Sequence, residues 1–372
     1  MSLKYLRRAY TSFATHIYDV PARMLAFLML IILFLVPLTR LDTGTLGDLQ
    51  YANIIAILAV SWDLLVGRTG QINMGQALFF GAGAYGSALL YQYFGWPVWM
   101  AIPVSLLISA GIAVLVGLPC LRLKGPYLAL VTLSIPLAVG GLLELFMKAF
   151  GGDIGIRLPL TGFFPTSLVG YLGHYYADYF LSLSLMALSA IIIYKIANSG
   201  TGVVFVSLLD DELASKACGI NVTKYKLMSF IISGVIGSLA GCVQVYFDTR
   251  ATLGYFDISI SLLPIIATFI GGIGTIYGAV IGAYIYELLN TVVYEKLYPL
   301  IGIPLAYKEE VSVLIFMSII IILVVKWPRG IARAIVDKLE DLQEPREIEE
   351  TGKEKVKRFS RWRKALHFSH GG

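Results

Sequence analysis

The chain has 372 residues, 57% of them hydrophobic and 14% charged, with a formal net charge of +5. A soluble globular domain carries roughly 25% charge. Long apolar runs recur here from the first fifth of the sequence to the last, which excludes a soluble fold and predicts a polytopic membrane protein.

The runs are continuous rather than alternating, which favours helices over a barrel. Lys and Arg sit mostly in short segments between the runs, where they signal orientation and not nucleic-acid binding. Residues 1–21 carry Lys4, Arg7 and Arg8, with Leu3, Leu6, Tyr10, Phe13 and Ile17 at helical spacing. This pattern predicts an amphipathic helix lying on the membrane surface. No convincing small-residue cleavage site follows it, so it does not read as a removed leader.

Ten spans are predicted, at 22–39, 49–67, 75–94, 98–118, 126–148, 179–196, 226–247, 258–272, 275–293 and 310–326. The eighth is short for a hydrocarbon core of about 30 Å. It is expected to pair with the ninth as a broken or re-entrant unit around Gly271–Thr275. One set of connecting segments carries Arg68, Arg122, Lys124, Lys195, Lys216, Lys224, Lys226, Lys326, Arg329 and Arg333, together with the basic N-terminus. The opposite set carries fewer: Arg40, Lys148, Arg157, Arg250, Lys296 and Lys308. The richer set is expected on the cytoplasmic side, with both termini inside. The expected organisation is an N-terminal segment 1–21, a transmembrane domain 22–326 and a cytoplasmic tail 327–372.

Two connections are long. The outer one, 149–178, is rich in Gly, Pro and aromatics; it is expected to be ordered and is a candidate surface for a partner. In the inner one, 197–225, Asp210, Asp211 and Glu212 are expected to open a helix, where acidic side chains suit the positive end of the dipole. Gly219 is expected to stop it. In the tail, Ile331, Ile335, Leu339 and Leu342 form one apolar stripe, followed by a mixed-charge stretch.

Cys120, Cys218 and Cys242 are isolated, with no CxxC and no pairing pattern, and are expected to be core residues rather than metal ligands or disulfides. His16, His174, His367 and His370 fall in loops or the tail, and no HExxH, GxSxG or catalytic carboxylate pair occurs. No catalytic or metal site is therefore expected. A secondary transporter coupled to ions would commit charge within the membrane. Its candidates are Asp63, Glu144, Lys148 and Glu287, none clearly central.

Glycines punctuate the spans. Gly274, Gly278 and Gly282 are four apart, as are Gly237 and Gly241, and Gly81, Gly83 and Gly86 cluster in the third span. Such spacing lets backbones approach closely. The stretch Gly67–Gly86, "GRTGQINMGQALFFGAGAYG", sets Gln71, Asn73 and Gln76 at the mouth of an apolar run. A polar break there has two duties open to it: a satisfied turn between spans, or part of a substrate pathway.

Four segments carry a family resemblance. "GRTGQINMGQALFFGAGAYGSALL", "CLRLKGPYLALVTLS", "DDELASKACGINVTKYKLMSFIISGVIGSLAG" and "FIGGIGTIYGAVIGAYIYELL" occur in the right order over residues 50–290. Together they resemble the permeases of branched-chain amino-acid ABC transporters, the LivM type and the related LivH type. The chain departs from that pattern at Asn73 and Gln76, where the family usually has Ser and His, at Pro136-Leu137, where a Gly-Glu pair is common, and at Leu209, where an Arg often stands.

The resemblance implies an all-α permease subunit of an importer for branched-chain or other hydrophobic amino acids, in the cytoplasmic membrane; urea or a short amide is the rival substrate class. It implies a second homologous permease, two ATPase subunits and an extracytoplasmic substrate-binding protein as partners. No GxxxxGK[ST] is present, so ATP and Mg are expected on the partner ATPases, and this chain is expected to bind no cofactor. Asp210, Asp211, Glu212, Ala214, Gly219 and Ile220, within 206–226, are the implied ATPase-coupling residues.

Overall fold

The computed structural model describes residues 21–39, 42–123, 125–146, 155–158, 166–298 and 307–338. The amphipathic segment before residue 21, much of the outer connection and the tail beyond 338 lie outside these residues. Two units are distinguished. The larger is residues 28–332; the smaller comprises 1–27 and 333–372, and its described parts, 21–27 and 333–338, are helical.

The elements in order are α1 (Pro21–Leu35, extended by a 3-10 turn to Thr39), α2 (Thr43–Thr69), α3 (Gln76–Phe94), α4 (Val98–Cys120) and α5 (Pro126–Leu145). Then come α6 (Thr166–Ala197), α7 (Gly200–Asp210), α8 (Glu212–Ala217) and α9 (Val222–Asp248). A 3-10 turn at Leu253–Phe256 leads to α10 (Ile258–Gly271), α11 (Ile276–Thr291, continued as a π-helix over Val292–Leu297) and α12 (Lys308–Lys326). A two-residue antiparallel ladder pairs Ile156–Arg157 of the outer connection with Arg250–Ala251.

Each predicted run overlaps a helix, but among the described residues only seven helices are long and apolar enough to cross a membrane. Helix α10, with 14 residues, reaches about 21 Å at ~1.5 Å per residue. The apolar part of α1 is also short, and α3 is long but diluted by Gly, Gln and Tyr. Packing explains α3: its residues 76–81 and 83–85 are all buried within the protein, so it has little need to satisfy lipid.

Burial separates centre from rim. In α2, 83% of the apolar window is inside the protein, and in α9 72%, against 22% for α5 and 17% for the span that includes α12. Helix α2 therefore forms the axis, touching α6, α7, α9, α10 and α11. Exposed Leu107, Leu115, Leu145, Leu314 and Val325 lie on the rim helices. Hydrocarbon is as apolar as these side chains, so their exposure there carries no penalty.

Glycines set the closest approaches. A Cβ at Gly241 would sit 1.9 Å from the Phe80 carbonyl oxygen, and one at Gly83 2.1 Å from that of Ser238, so α3 and α9 cross backbone to backbone. Gly81 lies under the Phe256 ring, Gly86 against Ser105 of α4, and Gly237 under the Gln76 amide. Helices α10 and α11 form a tight hairpin: a Cβ at Gly271 would meet the Gly278 oxygen at 1.7 Å, and one at Gly282 the Ala267 oxygen at 1.9 Å. The reading of Gly274, Gly278 and Gly282 as one helix face is corrected here. Gly274 precedes α11, in a turn at φ +80° next to Gly272 at φ +121°, and packs on Gly67 of α2. Positive φ is what glycine supplies at low cost.

The seam between α2 and α11 is polar and antiparallel in register. Asp63 Oδ1 accepts from Gly274 N–H at 2.6 Å, Asn53 Oδ1 from the Tyr284 hydroxyl, and Asp48 Oδ2 from Thr291 Oγ1 at 3.1 Å. Asn53 Nδ2 also donates to Ser182 Oγ on α6 at 3.0 Å. These pairings meet the cost of burying polar groups in the bundle. Of the other charged candidates, Glu144 is exposed, Glu287 is buried, and Lys148 lies outside the described residues.

The outer connection is shorter than the sequence implies, because α6 begins at Thr166. The cysteine reading is also corrected: Cys120 and Cys242 are buried, but Cys218 is exposed at the end of α8.

Candidate functional site

Residues 70–75 are not helical. Helix α2 ends at Gly70, in the left-handed conformation at φ +68°, with its N–H bonded back to the Leu65 carbonyl. This is the usual glycine termination of a helix. Helix α3 then starts at Gln76. The break is enclosed, with Gln71, Asn73 and Gln76 exposed by 2%, 0% and 0%.

Each amide nitrogen is engaged, while Gln71 Oε1 is buried without a hydrogen-bond partner. Gln71 Nε2 donates to Thr69 Oγ1 at 2.8 Å, Ser229 Oγ at 2.9 Å and the Lys226 carbonyl at 3.3 Å. Asn73 Oδ1 accepts from Gly75 N–H at 2.9 Å, closing an Asx turn, while its Nδ2 donates to Gln76 Oε1 at 3.0 Å. Gln76 Nε2 donates to Ser61 Oγ at 2.7 Å and reaches Ser233 at 3.4 Å. Several backbone groups of the break are bonded as well. Trp62 Nε1 donates to the Asn73 carbonyl at 2.6 Å, Thr132 Oγ1 accepts from Met74 N–H at 3.0 Å, and Ser261 Oγ accepts from Ala77 N–H at 3.1 Å. Five helices, α2, α3, α5, α9 and α10, thus meet at one polar junction. This geometry performs the first of the two duties, tying down the backbone groups that a break leaves unpaired.

Sequence reading missed Ser61, Trp62, Thr132, Ser229, Ser233 and Ser261. A signal was available for two of them. Ser229, Ser233, Gly237 and Gly241 are each four apart and present one small-residue face of α9 to the stretch from Gln71 to Phe80.

The second cluster is the inner connection. It is a pair of helices, α7 and α8, rather than a loop with one. The acidic triplet does not open one helix: Asp210 closes α7, and Asp211 caps α8, its Oδ1 accepting from Leu213 N–H at 2.8 Å and Ala214 N–H at 3.0 Å. An extended Asp211, at φ −154°, splits the run in two. Such a side chain is a good N-cap because it satisfies the first orphan amides of a helix. Glu212, in the first turn, forms an ion pair with Lys226 at 2.8 Å. Ser215 Oγ donates to the Ser207 carbonyl at 2.9 Å and holds α8 on α7. Gly219, at φ +84°, ends the segment, and Ile220 N–H bonds the Ser215 carbonyl at 3.2 Å. The outer face of α8 presents Leu213, 72% exposed, with Ala214 and Ala217 also exposed.

The family described as "Branched-chain amino acid transport system / permease component" matches residues 44–325, well over half of the chain. The high-affinity branched-chain amino acid transport system permease protein LivM of Salmonella typhimurium is 28% identical over 260 residues, 64% of this chain and 61% of that protein. The chain thus spans about three fifths of that relative's length. The probable branched-chain amino acid transport permease protein LivH of Methanocaldococcus jannaschii is 24% identical over 304 residues, covering 80% of this chain and 94% of that one. A galactose/methyl galactoside import permease protein, MglC of Salmonella typhimurium, is 24% identical over 294 residues, 72% of this chain and 83% of its own. No solved structure matches the chain. With the match running from the start of α2 to the end of α12, this multi-pass, all-α membrane protein belongs to the family of branched-chain amino acid transport permease components.

Proposed function

We propose that this chain is the membrane-spanning permease subunit of an ATP-driven importer of branched-chain or other hydrophobic amino acids in the cytoplasmic membrane. The observation that carries this reading is the family match over residues 44–325. The exposed apolar face of α8 supports it, since a short, capped helix with Leu213 outward is suited to seat in a groove of an ATPase subunit. Ten helices enter the membrane, the short α10 as half of the α10–α11 hairpin, and both termini lie inside. Residues 22–326 form the permease domain, and 197–225 form the coupling connection. Two ATPases, a second homologous permease and an extracytoplasmic binding protein complete the assembly, and ATP hydrolysis belongs to the ATPases. Closure of the motor moves α7 and α8, and the bundle opens inward along a pathway that includes Gln71, Asn73 and Gln76.

The test is uptake into proteoliposomes holding the complete assembly. Labelled leucine should enter only with ATP inside the motor compartment and binding protein on the opposite face. Uptake of urea in preference to leucine would move the substrate class while keeping the transporter. Uptake of galactose instead would align the chain with its sugar-permease relatives. Accumulation driven by a sodium or proton gradient without ATP would overturn the proposal.

A further inference from the structure

The coupling segment and the polar break are joined by two contacts that neither reading requires by itself. The first is apolar: a Cβ on Gly70 would meet Leu209 Cδ1 of α7 at 3.0 Å, so Leu209 sits on the residue that ends α2. The second is polar. Glu212 of α8 holds the Lys226 ammonium at 2.8 Å, with Lys226 side chain only 13% exposed. The carbonyl of Lys226 in turn accepts from Gln71 Nε2 at 3.3 Å and from Ser229 Oγ at 2.8 Å. Gln71 Nε2 also reaches Ser229 Oγ at 2.9 Å. Since Ser215 fastens α8 to α7, a push on α8 arrives at both contacts together.

We propose that Glu212, Lys226 and Gln71 form a relay that transmits movement of α8 to the break between α2 and α3. Lys226 and Gln71 are positioning residues: they act through the break and do not touch ATP. The proposal rests on the reading of α8 as the ATPase contact. Its physical basis is that a half-buried ion pair in the low-dielectric zone beside the bundle resists stretching more than an exposed one. The Gln71 Nε2 is held by acceptors on both α2 and α9, so the amide ties the end of α2 to the start of α9.

The test uses the reconstituted assembly, with labelled leucine as probe, and reads leucine imported per ATP hydrolysed. Lys226→Met and Gln71→Leu should lower that ratio about fivefold or more, the usual lower bound for losing a coupling interaction. Lys226→Arg should restore it. Glu212→Lys and Lys226→Glu should each lower it, and the double exchange should recover it. Co-purification of the ATPases should survive Lys226→Met and be lost in Leu213→Asp. If Leu213→Asp leaves both co-purification and the ratio at wild-type values, the reading of α8 itself falls. If Leu213→Asp abolishes co-purification while Lys226→Met and Gln71→Leu keep the wild-type ratio, the relay alone falls. If Lys226→Met also sheds the ATPases, the ion pair belongs to docking and the relay is again overturned.

Discussion

Gln76 shows how a single polar residue is made tolerable inside a membrane bundle. Its amide faces Ser61, Asn73 and Ser233, all themselves buried, so no group is left facing hydrocarbon. Gly237 beneath it leaves room, because a Cβ there would come within 2.5 Å of Gln76 Nε2. The same steric logic gives a sharp expectation at Gly241. Gly241→Val would drive a side chain into the Phe80 carbonyl, which lies 1.9 Å from the ideal Cβ position and belongs to rigid helix backbone. Overpacking of this kind typically costs about 1–3 kcal/mol, and a backbone obstacle puts it at the upper end. Thermal unfolding in detergent should show a clear drop for Gly241→Val and none for Gly111→Val, where nothing lies within 4 Å. Equal melting of the two would remove the argument that α3 and α9 need bare backbone at their crossing.

At the scale of elements, the α2–α11 seam is organised by its end at the α10–α11 turn. Asp63 receives the Gly274 N–H in the turn between α10 and α11, at a point where a Cβ on Gly67 would come within 2.5 Å of the Gly274 Cα. Removing the acceptor leaves a buried backbone donor unpaired, which costs about 1–3 kcal/mol; keeping an acceptor of the same shape does not. Asp63→Asn, which retains Oδ1, should therefore stay close to wild-type stability. Asp63→Leu should unfold at clearly lower temperature and loosen the hairpin, seen as faster hydrogen exchange over residues 272–278. If Asp63→Asn is destabilised as much as Asp63→Leu, charge rather than the hydrogen bond holds the seam; if neither is, the seam does not depend on Asp63. The hairpin itself was legible as a short eighth run joined to the ninth at a glycine-rich break. Its break was placed at Gly271–Thr275, but the membership of Gly274 in that turn rather than in the helix face was not, because four-residue glycine spacing fits both until φ is known.

For the molecule as a whole, orientation and access can be read together by labelling. In a Cys218→Ser background, cysteine at Ile72, 39% exposed, should react with a membrane-impermeant maleimide added to the cytoplasmic side. Cysteine at Asn73, 0% exposed, should stay unreactive in the resting protein and become reactive when the assembly is trapped with ATP. Labelling of position 72 only from the outer side would invert the topology argued from basic residues. Position 73 remaining closed in every nucleotide state would reduce the break to a structural turn. The neighbouring positions differ because the Ile72 side chain projects out of the junction while Asn73 bonds inward to Gly75 and Gln76.

The amino-acid sequence alone determined the class of the protein and the approximate places of its long apolar runs, each of which overlaps a helix. Apolar run length and turn-forming residues are local properties, and the bilayer demands that each run satisfy its own backbone. It also marked the glycines and amides that matter, since small or polar residues inside apolar runs are conspicuous. Only the tertiary structure decided what those residues meet. Gln71 finds Ser229 across 158 positions of chain, and Asp63 finds Gly274 across 211. Such partners are chosen by packing, not by sequence neighbours. The same holds for α2 as the buried axis and for Cys218 as an exposed thiol. Each depends on which face of a helix another element covers, and the periodicity of a uniformly apolar helix does not encode that face.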